Sequence, residues 1–151
     1  MRRSYKILLV ISLITLAVIW GHSMMPPSVS SDESGFVMKI IEPFLEIFVG
    51  RGSVTEHLVR KLGHFTEYTI FGVELAFLSA VFPEMLRTFK RRFAGVIFTA
   101  FTAAFIDETI QIFSGRGPMI TDVWIDIAGA VLGSGAVLII QFIISRSRDP
   151  L

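Results

Sequence analysis

An apolar run over residues 93–106 leads without a break into two adjacent carboxylates, Asp107 and Glu108, and this feature constrains the fold most. Gln111 follows Asp107 by one helical turn, and Arg116 lies just beyond, between two glycines. The flanking residues offer little polar surface, so these acids are expected inside a membrane or at its edge. Ionisable groups at that depth are costly, and their usual interpretation is functional.

Length and composition agree with a small membrane protein. The 151 residues are enough for one domain, residues 1–151. Apolar residues make up 52% and the mean hydropathy is +0.66, above a typical soluble chain. The absence of cysteine excludes disulfides, thiolate nucleophiles and zinc–thiolate sites. The net charge of +1, with its basic residues segregated along the chain, predicts no nucleic-acid partner.

Four stretches are predicted to span the membrane as helices: residues 6–25, 54–82, 93–113 and 122–144. The third has a length of about 31 Å as a helix, which matches a hydrocarbon core. The first follows a basic N-terminus and could instead be a cleaved signal peptide. We favour an uncleaved helix because no cleavage site of small residues follows Trp20. The predicted fold class is an all-α, polytopic membrane protein.

A fifth helix is predicted between the first two spans, after a polar linker at residues 28–35. Over residues 35–49 large apolar side chains recur at steps of four: Phe36, Ile40, Phe44 and Phe48. This period is typical of an amphipathic helix. In the first extracytoplasmic loop it would either lie in the membrane interface or pack as a cap over the bundle.

Helix starts and one helix contact are also predicted. Ser53 is expected to cap the second span, with Glu56 as its capping-box partner, and Thr121 or Asp122 to cap the fourth. In the fourth span, Gly129 and Gly133 form a small-xxx-small pattern, which allows close approach of another helix.

The orientation follows from nine basic residues that fall on one side: Arg2, Arg3, Lys6, Arg87, Lys90, Arg91, Arg92, Arg146 and Arg148. The positive-inside rule places both termini, and the loop between the second and third spans, in the cytoplasm. The carboxylates of the third span then lie near the outer face.

Nine polar side chains are predicted at the outer ends of three spans: His64, Glu67, Tyr68, Asp107, Glu108, Gln111, Arg116, Asp122 and Asp126. Acids in so apolar a setting must be protonated, paired or bound to a metal. They could serve only to hold helices together, at roughly 0.6–2 kcal/mol for each contact. Nine such groups at one depth exceed that need, and we therefore predict a working site.

Within this site, His64 with Glu67, Asp107 or Glu108 could perform acid/base chemistry. The predicted ligand-binding residues are Lys61, Tyr68, Gln111, Arg116, Asp122 and Asp126. The acids with His64 could also hold a divalent cation, but no recognised ligand spacing is present, and no metal or cofactor is predicted. Glu74, deeper in the second span, either begins a proton path or is a neutral group hydrogen-bonded to a neighbouring helix.

Two segments resemble motifs of the VanZ-like membrane proteins. The first runs from Lys61 through His64 and Tyr68 to Gly72, and the second begins at Asp107 and ends at Gly133. Their order and spacing agree with the family over about half of the chain. Many members carry Asn at the position of Asp126, which is a departure in this chain.

The resemblance implies a small multi-pass protein of the bacterial cytoplasmic membrane with a role in the cell envelope. The family takes its name from a protein associated with resistance to the glycopeptide teicoplanin, and no settled reaction comes with it. We expect a membrane lipid, a lipid-linked envelope precursor or a lipoglycopeptide as partner. The alternatives are a hydrolase or transferase that acts on an envelope lipid, and a proton-coupled transporter that uses Glu74.

Overall fold

The computed structural model describes residues 2–81 and 88–148. Its five helices are α1 (Arg2–Ser23), α2 (Pro27–Val49), α3 (Glu56–Ser79), α4 (Phe89–Phe113) and α5 (Ile120–Arg148). All regular structure in these ranges is helical, which confirms the all-α prediction.

Three of the helices, α1, α4 and α5, are long and apolar enough to cross a membrane. The remaining long helix of the bundle, α3, has 24 residues and therefore the length of a span. It carries five charged residues, Glu56, Arg60, Lys61, Glu67 and Glu74, and the last two lie in the middle of the helix.

The predicted linker at residues 28–35 is wrong, since these residues form the first turns of α2. Helix α2 begins at Pro27, where proline fits the first helical position: its fixed φ suits the helix and its missing N–H is not needed there. Asp32 and Ser31 therefore lie on a helix, and the Ser31 hydroxyl donates to Glu56 on α3 at 2.7 Å.

Two predicted caps are also wrong. Helix α3 is capped by Thr55 instead of Ser53, and the Thr55 hydroxyl accepts the Leu58 N–H at 3.2 Å. Helix α5 begins at Ile120, so Thr121 and Asp122 lie inside its first turn. Helix α4 begins at Phe89, four residues before the predicted start of its span. The predicted end of the second span, Phe82, lies outside the described residues.

The apolar face of α2 does not pack over the bundle. Its four regularly spaced residues are 63% to 72% exposed: Phe36, Ile40, Phe44 and Phe48. A hydrogen bond from Ser31 to Glu56 joins α2 to α3. In the turn that follows α2, the Gly52 N–H donates to Glu46 at 2.7 Å. An exposed apolar face therefore lies beside the start of α3.

The bundle is closest where α3 crosses α5. A Cβ atom at Gly129 would collide with the Phe65 carbonyl oxygen, and one at Gly133 with the Thr69 carbonyl oxygen. Gly72 contributes the same close approach from α3. The small-xxx-small prediction for α5 is therefore confirmed, and its partner is α3. Such contact brings the polar side chains at one end of both helices within reach of each other.

The other end of the bundle is joined by Arg92 at the start of α4. Its guanidinium donates to the Ser79 hydroxyl and the Ala76 carbonyl of α3, each at 3.1 Å. It also donates to the Gln141 side chain of α5 at 2.6 Å. Three helices are thus fixed at this end, away from the predicted site.

Candidate functional site

The site is built on the last two turns of α4, where Asp107, Glu108 and Gln111 are all buried. The helix ends in a Schellman motif, with Gly115 at φ +74°. In this motif the Gly115 N–H donates to Ile112 and the Arg116 N–H donates to Gln111. Glycine suits the position because the left-handed conformation is costly for other residues. The motif turns the chain back towards the bundle just before Arg116.

Arg116 uses this turn to reach α1. Its Nη1 donates to the His22 carbonyl oxygen at 2.8 Å, at the last turn of that helix. The side chain is buried, and burial lowers the pKa of the Arg116 guanidinium below its ordinary value. Its Nε has no hydrogen-bond partner among the described residues. Arg116 is therefore a partly satisfied cation held at the end of the bundle.

At the centre of the site, His64 of α3 lies between carboxylates from α4 and α5. Its Nδ1 is 3.5 Å from Asp126 Oδ1 and 3.7 Å from Asp107 Oδ2. Both aspartates are 0% exposed. The helices predicted to converge do converge here, and His64, Asp107 and Asp126 form one buried cluster, which we call the central triad.

The central triad is short of hydrogen bonds. The contact between His64 and Asp126 lacks hydrogen-bond geometry, and within the described residues His64 Nδ1 and both Asp126 oxygens have no hydrogen-bond partner. Asp107 Oδ1 and the buried Tyr68 hydroxyl also have no hydrogen-bond partner among the described residues. Because buried polar groups are nearly always bonded, so many free atoms in one place are costly for the fold.

The acids around the triad are paired. Lys61 Nζ lies 3.1 Å from Asp122 Oδ1, joining α3 to the start of α5. Glu108 accepts the Met119 N–H at 2.8 Å and the Gln111 side-chain amide at 3.2 Å. The bond from Met119 to Glu108 joins the loop before α5 to the end of α4.

Glu67 contacts His22 and not His64, the partner considered from the sequence. We considered it as a partner of His64, but its Oε1 lies 2.6 Å from Nδ1 of His22. Glu67 therefore interacts with α1, while His64 faces α4 and α5 and has Asp126 and Asp107 as its nearest carboxylates.

His22 and Ser23 belong to the site and were not predicted. Ser23 is 0% exposed, and its hydroxyl accepts the Gln111 amide at 3.4 Å. Both residues end the first apolar run just before Pro26, so their depth was available from the sequence. Their partners were not, because nothing in the sequence places α1 beside α3 and α4.

A cavity of about 140 Å³ opens beside the triad. Its ionisable lining residues come from α1, α2, α3 and the loop after α4: His22, Glu33, Arg60, His64, Glu67 and Arg116. Only His64 belongs to both the cavity and the triad. The imidazole therefore connects this cavity to the buried carboxylates.

Glu74 lies apart from this site. Its Oε1 accepts a hydrogen bond from the Thr15 hydroxyl of α1 at 2.8 Å. This is the bond to a neighbouring helix that was predicted as the alternative to a proton path.

Long apolar helices packed around a buried polar cluster are the architecture of a polytopic membrane protein. A comparison with protein families identifies the family of membrane proteins. The VanZ/LLP1 family model matches residues 7–141, and the chain belongs to this family. No curated protein and no solved structure matches the chain.

Proposed function

We propose that this protein binds the anionic headgroup of a lipid-linked envelope precursor in the cavity beside the central triad. The observation that carries the proposal is the lining of that cavity, which brings two permanent cations, Arg60 and Arg116, together with His22 and His64. Cationic and imidazole donors are the groups that bind phosphate oxygens most strongly.

The membrane arrangement supports this role. Helix α3 spans the membrane together with α1, α4 and α5. Most of its charged residues lie in its first turns, and the two deeper ones have partners on α1: Glu67 contacts His22, and Glu74 accepts a hydrogen bond from Thr15. The exposed apolar face of α2 lies in the membrane interface beside the cavity. The positive-inside rule favours a cytoplasmic location for both termini, and in that orientation the cavity opens to the outer face.

The size of the cavity limits what enters it. Pockets for drug-sized ligands measure roughly 300–1,000 Å³, against about 140 Å³ here. A phosphate group fits, while the hydrocarbon tail stays in the bilayer beside the helices. A lipoglycopeptide is too large to enter whole and would engage the cavity through one polar group.

Lipid binding tests the proposal directly. The full chain in lipid nanodiscs is titrated with a polyprenyl phosphate and with the matching uncharged polyprenol. We expect the phosphate to bind more tightly, and Arg60→Gln to weaken it about tenfold, equivalent to about 1.4 kcal/mol. The control is Arg51→Gln, which removes the same charge from an exposed turn outside the cavity. Equal affinity for phosphate and alcohol, or equal losses in both variants, would contradict the proposal.

Resistance to teicoplanin would be one consequence of holding an envelope precursor. A sensitive host that expresses the wild-type protein is then expected to tolerate more teicoplanin than a host with an empty vector. Arg60→Gln at the same membrane level should give less protection than Arg51→Gln. A host that gains no tolerance from the wild-type protein would rule out this consequence and leave lipid binding to stand on its own measurement.

A second candidate function is hydrolysis or group transfer on an envelope lipid. The observation that favours it is the contact of His64 with two buried carboxylates at 3.5 and 3.7 Å, which could hold the imidazole as a general base. The test is product formation from the bound lipid during long incubation, with His64→Gln as the inactive variant. Release of the lipid unchanged by the wild-type protein would exclude this function.

A further inference from the structure

We propose that the central triad is a metal site: His64, Asp107 and Asp126 bind one divalent transition-metal ion, with Zn²⁺ as the best match. Each residue comes from a different helix and offers one ligand atom, and the three atoms lie within 4.8 Å of one another. The proposal goes beyond lipid binding and does not depend on which lipid the cavity takes.

The distances match the geometry of zinc. Bonds of about 2.0–2.1 Å at tetrahedral angles place neighbouring ligand atoms about 3.3 Å apart. His64 Nδ1 lies 3.5 Å from Asp126 Oδ1 and 3.7 Å from Asp107 Oδ2. These separations are too long for good hydrogen bonds and close to what one shared ion requires.

The free ligand atoms are the second observation. His64 Nδ1, both oxygens of Asp126 and Asp107 Oδ1 are buried without hydrogen-bond partners in the described chain. Asp107 Oδ2, which lies 3.7 Å from His64 Nδ1, accepts a long bond from the Gln111 amide at 3.4 Å. Asp107 and Asp126 are fully buried, so bulk water does not compensate for the missing bonds. A shared cation would satisfy atoms from all three residues at once.

The balance of charge around the triad also indicates a bound cation. Within the described residues, His64 is the only basic side chain within ion-pair distance of Asp107 or Asp126. Two permanent cations at this end of the bundle have other contacts, since Lys61 pairs with Asp122 and Arg116 bonds to the His22 carbonyl. Two carboxylates in a low-dielectric setting need positive charge, and a divalent ion supplies it.

The ligand set also selects the kind of ion. Mg²⁺ and Ca²⁺ prefer oxygen alone, whereas an imidazole nitrogen suits Zn²⁺ and similar transition metals. Three protein ligands leave one tetrahedral position open. His64 lines the cavity, which gives an ion a path to the triad and places the open position near the proposed headgroup site. The Gln111 amide, 3.4 Å from Asp107 Oδ2, orients that ligand from outside.

Zinc binding to the purified full chain tests the proposal. After treatment with a chelator, the protein in detergent is titrated with Zn²⁺ by calorimetry, and bound metal is counted by elemental mass spectrometry. We expect one tight site per chain and a higher melting temperature with Zn²⁺. His64→Ala and Asp126→Ala should each weaken binding more than about a hundredfold, since removing a ligand should cost more than removing an outer contact, about 10–100-fold.

Two control variants separate the triad from adventitious binding. His57→Ala removes an exposed imidazole, and Asp32→Asn removes an exposed carboxylate that lies outside both the cavity and the triad. Both should bind Zn²⁺ like the wild-type protein. Asp126→Asn, which keeps the side-chain shape, shows whether a loss of binding reflects misfolding, because its chelated form should melt no lower than the chelated wild type. The proposal is overturned if the wild-type protein binds no Zn²⁺, or if His57→Ala loses binding as much as His64→Ala does.

Discussion

At the scale of single residues, the site contains acids in two different states. Glu108 and Asp122 have partners that join helices and loops, and they resemble the polar contacts that hold many membrane bundles together. Asp107 and Asp126 are more deeply buried and retain unbonded oxygens beside His64. Only the second state is costly for the fold, and it is therefore the second state that we connect with function.

The depth of these residues was predictable from the sequence, and their pairing was not. The apolar runs set how far Asp107 and Asp126 lie from the helix ends, so a shared polar layer could be predicted. Pairing depends on the rotation of each helix and on which helices are neighbours. For this reason Glu67 was considered as a partner of His64, although His22 of α1 is its nearest contact.

Replacing Glu74 by Gln should leave the protein almost unchanged. The substituted side chain would retain an amide oxygen that accepts the Thr15 hydroxyl, so the contact between α3 and α1 persists. We expect a stability change within about 0.5 kcal/mol and lipid binding within about twofold of the wild type. Thermal unfolding and the nanodisc titration measure both. Loss of lipid binding at unchanged stability, or loss of proton-coupled uptake in vesicles, would show that the ionisable group itself is required.

At the scale of helices, the contact between α3 and α5 positions the site. The two backbones approach closely at Gly129 and Gly133. Asp126 lies one turn before Gly129 on α5, beside His64 of α3. The close approach is therefore what brings a buried carboxylate to the imidazole. The sequence pattern predicted that α5 would have a close neighbour, but not which helix this would be.

A methyl group at this contact should separate the helices. Gly133→Ala places a Cβ against the Thr69 carbonyl oxygen, and backbone cannot move aside as a flexible side chain can. We expect a loss of about 1–3 kcal/mol, the usual cost of overpacking, measured by thermal unfolding in detergent. Gly135→Ala on the same helix is the matched control, because its Cβ meets nothing within 4 Å. Equal melting temperatures for the two variants would contradict the close contact.

The helix ends show where sequence patterns were insufficient. Residues 28–35 are polar, which favoured a linker, but Pro27 at the first helical position and the Ser31–Glu56 bond support a helix there. The long apolar helices were predicted to within a few residues because hydropathy determines them. Caps were less predictable, since Ser53 and Thr55 are both suitable capping residues and only the path of the chain selects Thr55.

At the scale of the whole molecule, the bundle has two different ends. One end holds the central triad, the cavity and the paired acids, and the other is fixed by Arg92 between α3 and α5. The Arg92 end is also the end with most of the predicted cytoplasmic charge. With the Arg92 end in the cytoplasm, as we propose, the polar end would present the proposed binding site to the outer leaflet.

Single cysteines can test this orientation without interference, because the chain contains none. Ser53→Cys, in the turn before α3, should react with a membrane-impermeant maleimide added to intact cells. Ser147→Cys, near the end of α5, should react only after the membrane is permeabilised. Labelling is measured as a mass shift of the purified protein. The reverse pattern would place the cavity in the cytoplasm and exclude an outer-leaflet headgroup.

The central claim is that the buried triad exists for function and not to hold the helices together. The most direct measurement is the thermal stability of Asp126→Asn against the wild type, both in detergent with a chelator present. Because both Asp126 oxygens lack hydrogen bonds in a buried setting, we expect Asn to raise stability by about 1–3 kcal/mol, while Zn²⁺ binding without the chelator weakens. If Asp126→Asn melts well below the wild type under these conditions, Asp126 is a structural contact and the claim is contradicted.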